Sequence, residues 1–281
     1  MTETIKDRIW QSTAFFYRDQ LGLSQWQQLT EGRVGRQYET HMFEQLVRVV
    51  GSVCGKRLLD LGCGWGGVVL HAASQGANAF GIEPEKDRVT IAQELIKEAG
   101  SDSAEVRQGV GEELPYPSTT FDIVTSYQVL EHVRDPATVI AEVARVLKPG
   151  GLFHFATPNY MSFWEPHYKI FWLPLMPKWL GRVYLRLRGR NPDFLGHLKY
   201  VNPLSVRRLL RQQKFTFVDL RQQRARAKLR DKLARWFSCV PAPKSFAKVL
   251  DSLAAPLFFA VHTCFLNRDQ EFIATKDGLA Q

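Results

Sequence analysis

Between residues 57 and 156, five short apolar runs alternate with helical stretches, and that order constrains the fold more than any other feature of the chain. The runs are 57–61, 77–82, 104–108, 121–126 and 152–156, and the helical patterns lie at 66–75, 87–99 and 136–147. Lys148-Pro149-Gly150-Gly151 predicts a hard turn before the fifth run. Strands separated by helices of this length predict an α/β fold, a parallel sheet with helices on both faces. Residues 1–50 read as a helical segment, because Met42, Phe43, Leu46, Val47 and Val50 recur at helical spacing.

After residue 158 the alternation stops. Residues 159–203 are rich in aromatics, proline and arginine and read as an inserted lid. A helix at 204–213 and strands at 215–220 and 271–276 close the sheet, interrupted by a basic insertion at 224–267. The domains expected are therefore a helical segment at 1–50, a core at 51–158, a lid at 159–203, and the interrupted end of the sheet at 204–281.

Charge follows the same division. The net charge of +9 splits into −5 for residues 1–158 and +14 for residues 159–281, and the basic half holds Trp164, Trp172, Trp179 and Trp236. That asymmetry points to an acidic partner, whether an anionic membrane surface, a phosphorylated substrate or nucleic acid; a solvated basic face would look the same. Cys54, Cys63, Cys239 and Cys264 form no CxxC pair, which argues against a zinc knot and for a reducing compartment. Residues 1–10 carry four charges and no apolar core, so no signal peptide is expected there. No stretch offers the ~20 uncharged apolar residues that span a bilayer, and the expected location is cytoplasmic, peripheral on the membrane if the basic half docks there.

Asp60-Leu61-Gly62-Cys63-Gly64-Trp65-Gly66-Gly67 follows the first strand and opens a helix. Glycines at this junction allow a tight turn and bring backbone N–H groups against a ligand. Glu83 ends the second strand, where a carboxylate reaches ribose hydroxyls. Gly62, Gly64 and Gly67 satisfy the dinucleotide fingerprint. Gly62, Gly64 and Gly66, with Asp60 two residues ahead, form a second pattern. Downstream stand Glu112-Glu113-Leu114-Pro115, Phe121-Asp122-Ile123-Val124, Val129-Leu130-Glu131-His132-Val133 and Leu147-Lys148-Pro149-Gly150-Gly151. In that order and spacing, residues 55–158 resemble the seven-strand, Rossmann-like S-adenosylmethionine-dependent methyltransferases, and the dehydrogenase pattern explains none of the later blocks.

The resemblance implies a final antiparallel strand and S-adenosylmethionine as cofactor. It implies cofactor contacts from Asp60, Gly62, Cys63, Gly64, Gly66, Glu83 and Tyr127. Val110 stands where the family has an acidic residue at the adenine, so that contact falls to the backbone near Gly111 or to Glu112. The run 128–132 resembles ubiquinone-biosynthesis O-methyltransferases, whose ExxEH cluster is assigned to a divalent metal. Gln128 replaces the first Glu and removes a charge, so no metal is expected.

Methyl transfer to a hydroxyl needs a group to take the proton, and His suits that task at neutral pH. His132 follows the fourth strand at the sheet's carboxyl edge, and His167 and His197 lie in the lid region; each is also readable as a packing or surface histidine. The amino-methylase [DN]PP[YF] block and a Pro-Cys nucleophile are absent, which argues against a nucleic-acid substrate. Residues 160–181, followed by Arg182, Arg186, Arg188 and Arg190, and a basic amphipathic pattern at 224–237 have the makings of an in-plane membrane anchor. They could equally bury against each other and roof the pocket. The function expected is O-methylation of an amphiphilic acceptor, a lipid, quinol-like or lipid-linked sugar molecule, at a membrane surface. A soluble natural-product acceptor is the enzymatic alternative, and a non-catalytic RNA- or membrane-binding module the alternative of another class.

Overall fold

The computed structural model describes residues 1–225, 227, 265 and 267–277. Most of the basic pattern at 224–237, and most of the insertion at 224–267, falls outside them.

The N-terminal segment is helical as expected: α1 (Glu3–Ala14), a π-helical turn (Phe15–Gln20), α2 (Trp26–Val34) and α3 (Gln37–Val50). The core then runs β1 (Arg57–Leu61), α4 (Gly67–Ser74), β2 (Asn78–Glu83), α5 (Lys86–Glu98), β3 (Ala104–Gln108), β4 (Phe121–Tyr127), α6 (Pro136–Val146) and β5 (Leu147–Pro158). A two-stranded hairpin, β6 (Trp164–Glu165) and β7 (Ile170–Phe171), leads to α7 (Lys178–Leu187) and a 3₁₀ turn (Asp193–His197). The sheet is completed by α8 (Pro203–Gln212), β8 (Phe215–Asp219) and β9 (Asp269–Lys276).

The seven strands lie in the order β3-β2-β1-β4-β5-β9-β8. Pairing is parallel from β3 to β5, and β9 is antiparallel to both its neighbours. The order reverses between β1 and β4, which opens a crevice at their carboxyl ends, the place where open α/β sheets bind ligands.

One local expectation is corrected. The turn expected at 148–151 lies inside β5. Leu147 already pairs with Phe121, the register then jumps to Ile123 against Leu152, and Gly150 takes a φ of 75°. The turn is therefore a bulge, because pairing with β4 starts before it and resumes after it.

Strand alternation sorts the core into two layers. Val124, Phe153, Phe155 and Phe272 pack on one face under α6 and α8. Leu58, Ile123, Tyr127 and Ala156 face the layer built on Phe43, Leu46 and Val69. The lid has a core of its own, in which Leu21 and Leu23 join Tyr160, Tyr168, Trp172, Met176, Leu185 and Leu195. A Cβ at Gly181 would stand 2.7 Å from the Trp172 ring, so α7 lies directly on that tryptophan. The inserted 160–187 stretch thus divides. Tyr168, Trp172, Met176 and Leu185 are buried, while Phe171, Leu173, Trp179, Val183 and Leu187 face outward.

Candidate functional site

The turn after β1 holds one side of the crevice. Gly62 has a φ of 71°, and a Cβ there would run into Val129 of the loop after β4, so only glycine lets the two loops meet. A Cβ at Gly64 would meet nothing within 4 Å, which leaves an open cradle above the turn. Glu83 is 3% exposed and accepts hydrogen bonds from the backbone N–H of Gly64 at 2.9 Å and of Glu85 at 3.3 Å. Burial raises its pKa against the pull of Arg88. Asp60 is buried and accepts a 2.6 Å hydrogen bond from the Thr125 hydroxyl. Burial pushes its carboxyl up to about 7; the Thr125 bond opposes this, and the charges of Glu39 and Glu83 add to it.

Glu39, from α3, fills the space beside Gly67 and binds Arg33 at 3.0 Å, while its Oε2 has no hydrogen-bond partner. The Tyr38 hydroxyl and the Trp65 indole N–H are also buried without partners.

The other side of the crevice lies under the lid. Glu131 is fully buried; its Oε2 accepts from the Thr157 hydroxyl at 2.9 Å, and its Oε1 has no hydrogen-bond partner. Burial lifts its pKa to about 7, against the charge of His167. His167 lies 3.9 Å from Glu131 Oε1 through Nε2 and 3.0 Å from Glu165 Oε1 through Nδ1. Burial opposes charge on His167, but the Glu165 charge and hydrogen bond, joined by Glu131 and Asp269, outweigh it and raise the pKa. Glu165 is itself fixed by a 2.5 Å bond from the Tyr168 backbone N–H. The His132 ring packs edge-on to His167, with centroids 5.3 Å apart, and Phe194 closes on both rings. Desolvation and the charge of His167 lower the His132 pKa. Among the described residues, Glu131, His132 and His167 offer donor atoms within 4.8 Å of one another, a grouping able to hold a metal ion.

Residues 59–155 match the family model described as a methyltransferase domain. Relatives named ubiquinone biosynthesis O-methyltransferase include that of Photobacterium profundum, 38% identical over 109 residues, covering 39% of this chain and 46% of the relative. That of Pseudomonas entomophila is 42% identical over 113 residues, covering 38% and 47%. The chain thus spans about half the length of the curated relatives it matches. The structure resembles the YcgJ protein of Bacillus subtilis, with a TM-score of 0.57 at 19% identity over 85% of this chain and 99% of that one. It also resembles geranyl diphosphate methyltransferase in complex with S-adenosylmethionine, with a TM-score of 0.54 at 18% identity over 91% of each chain. At such identities the two structures speak for the fold alone.

Residues 59–155 are a methyltransferase domain, and S-adenosylmethionine is the cofactor expected of it.

The cradle fits that cofactor on chemical grounds. S-adenosylmethionine brings a sulfonium and an ammonium, and three carboxylates, Glu39, Asp60 and Glu83, converge on this turn. A cation among them would lower the pKa of Asp60 and relieve its burial. The structure also places the other expected residues. Cys63 is buried at the β1–β2 contact, its sulfur against Gly81, and its backbone is taken up by the turn itself: its N–H donates to Ile82 at 3.1 Å and its carbonyl accepts from Gly66 at 2.9 Å. Gly66 caps α4 at a φ of 76°. Gly111 packs on Leu61 and Val139, and Glu112 is engaged by the backbone N–H groups of Arg134 and Asp135. Tyr127 ends β4 with its hydroxyl 2.9 Å from His154. His132 and His167 are brought together, whereas His197 sits exposed at the end of the 3₁₀ turn, its ring 6.5 Å from Phe194.

Sequence reasoning missed Glu165, Glu39 and Tyr38 at the crevice. The Glu165-x-His167 spacing was a usable signal, since a tight hairpin folds such a pair onto each other. Nothing local marked α3 as a wall of the crevice.

Proposed function

We propose that this chain methylates a hydroxyl of an amphiphilic acceptor, with Asp60, Glu83 and the Gly62–Gly66 turn holding the cofactor and His167 taking the acceptor's proton. The relatives' name, ubiquinone biosynthesis O-methyltransferase, supports O-methylation. The observation that carries the assignment of the base is the 3.0 Å contact between Glu165 and His167 Nδ1. It fixes the tautomer with hydrogen on Nδ1 and leaves Nε2 as the acceptor atom.

S-adenosylmethionine, when bound, supplies a methyl already activated on a sulfonium. The chain's own residues do the rest. The lid orients the acceptor hydroxyl toward that methyl, and such alignment can contribute ~7–11 kcal/mol. As the oxygen–methyl bond forms, the hydroxyl proton passes to His167 Nε2. The imidazolium then faces Glu131 as well as Glu165, and both carboxylates stabilise it. The test is His167→Ala with labelled cofactor and a total lipid extract as acceptor, a soluble-metabolite pool and RNA serving as comparisons. Lipid methylation that falls with the variant supports the reading. Transfer to the soluble pool or to RNA, or full activity in the variant, overturns it.

The outward face of α7 supports a membrane-surface encounter. Trp179, Val183 and Leu187 recur every four residues and are 68%, 45% and 81% exposed, with Arg182, Arg186 and Arg188 beside them. Apolar burial at ~25 cal/mol per Å² and about 1 kcal/mol for each basic residue near anionic lipid would act together. Among the described residues no helix is long and apolar enough to cross a membrane. Flotation with anionic but not neutral vesicles, weakened by Trp179→Ser with Leu187→Ser, is the expected result. Protein that stays unbound to anionic vesicles at low salt points to a soluble acceptor.

A second reading rests on the Glu131, His132 and His167 donors. A divalent ion there would polarise the acceptor oxygen and exclude His167 as base. Activity abolished by a chelator and restored by Mg²⁺ would establish it over the first.

A further inference from the structure

A second set of buried polar groups runs across β4, β5 and β9. The Tyr127 hydroxyl is 2.9 Å from His154 Nδ1, and His154 Nε2 is 3.1 Å from Glu271 Oε1. Arg224 donates to Glu271 Oε2 at 2.7 Å and to Oε1 at 3.3 Å, and to Gln45 of α3 at 2.8 Å; Arg221 stands 3.4 Å from Oε2. His154 is wholly buried, and Glu271 is 4% exposed.

The strand register explains why these groups meet. Ala156 of β5 pairs with Tyr127 on one side and with Glu271 on the other. Its methyl is too short to join them, and His154, two residues earlier on the same face, bridges the gap. Four elements are tied in one line: β4, β5, β9 and the helical stretch 220–225 that follows β8.

The charges are matched along it. Burial works against ionisation of Glu271, yet the His154 and Arg224 hydrogen bonds hold its carboxyl down to about 2. An ionised Glu271 accepts from His154 Nε2–H, so Nδ1 accepts from the Tyr127 hydroxyl. That hydroxyl thereby has its hydrogen turned into the sheet and its lone pairs turned away. Tyr127 follows Thr125 by two residues on the same face of β4, and the Thr125 hydroxyl donates to Asp60 at 2.6 Å, which puts the Tyr127 side chain at the edge of the glycine-turn cradle. The next residue, Gln128, takes a φ of 58°, a strained value for a non-glycine, and leads directly into Val129 and Glu131. A strained turn persists only where its neighbours hold it.

We propose that His154 and Glu271 are positioning residues for cofactor binding, acting through Tyr127, with Arg224 as the charge that holds Glu271 in place. The proposal rests on the cofactor site proposed above and adds a support to it that no local motif marks.

The test is a set of binding constants for S-adenosylmethionine by calorimetry, read beside melting temperatures. Glu271→Gln should weaken binding roughly threefold to tenfold, the worth of one charge-assisted hydrogen bond transmitted in part. Tyr127→Phe should weaken it similarly. In the Tyr127→Phe background, Glu271→Gln should lower the melting temperature as before yet change the binding constant less than twofold. Should Glu271→Gln fail to fold, Arg224→Gln in both backgrounds gives the same comparison from a partly exposed position. Equal losses of affinity with and without the Tyr127 hydroxyl would overturn the proposal, as would unchanged affinity in folded Glu271→Gln. Absence of any binding by the wild type would instead remove the cofactor site itself.

Discussion

The two sides of the crevice hold their carboxylates in opposite ways. On the cofactor side, Asp60 and Glu83 are tied to a hydroxyl and to backbone N–H groups, all within the strands and turns of the sheet. On the lid side, Glu131 and Glu165 are both set against the His167 imidazole, which joins the loop after β4 to the lid hairpin. The first arrangement is rigid and ready for a cation. The second changes charge as a proton moves, and it exists only while the lid sits on β4. The Lys199 N–H to Glu131 carbonyl bond, at 2.7 Å, is one stitch that keeps it there. Binding and chemistry should therefore fail separately.

The largest expected effect is on the lid side. His167→Ala should lower turnover by ~10²–10⁴ with cofactor affinity little changed, measured by single-turnover methyl transfer beside calorimetry. A parallel loss of cofactor affinity would merge the two sides and break the comparison. Trp172→Ala tests whether the lid's core stands apart. Removing so large a buried side chain costs about 3–5 kcal/mol, and it should unsettle the lid while cofactor binding survives. Hydrogen exchange confined to residues 160–200 would sharpen the division; global unfolding would erase it. Glu83→Ala comes next. Loss of a charge-assisted acceptor worth ~1.5–3 kcal/mol should weaken S-adenosylmethionine roughly tenfold to a hundredfold, with no change in turnover at saturation.

The smallest effect is a pH shift. His167 must be neutral to accept a proton, and Glu165 and Glu131 raise its pKa over the opposing effect of burial. The turnover profile should rise with pH through a midpoint above ~6.5, the ordinary imidazole value. Glu165→Gln removes a negative charge that favours the imidazolium, so the limb should move to lower pH. The linkage has the same sign: a raised histidine pKa stabilises the fold at low pH, and that contribution fades as pH rises through the folded-state value. A limb that stays in place in Glu165→Gln would assign the base elsewhere.

The cofactor side was legible in the sequence because its parts are local. The Gly62–Gly66 turn and Glu83 each follow a strand directly, so one strand pattern places both. The parallel pairing of the first five strands was legible for the same reason, with boundaries displaced by a residue or two except at the start of β5, while the antiparallel β9 was expected from the family resemblance alone. The lid side was less so. Glu165 meets His167 through a hairpin of two-residue strands, too short to leave a period. Glu131 meets His167 only across the lid, and Glu39 enters from a helix whose spacing reports its buried face, not its reach. The bulge at 147–151 looked like a plain turn because pairing with Phe121 is a property of the partner strand.

The position of β9 also sets an order on the making of the protein. In the sheet β9 lies between β5 and β8, and Leu152 pairs with Thr275 across that seam. A ribosome adding about 5–20 residues per second finishes β5 several seconds before residues 269–276 emerge. For that interval β5 is an open edge, and Phe155 lacks Phe272, on which it stacks in the finished sheet. Edges of this kind invite pairing with other chains. The nascent chain therefore passes through a window in which an open β5 edge, and not the finished sheet, sets its exposure to pairing with other chains.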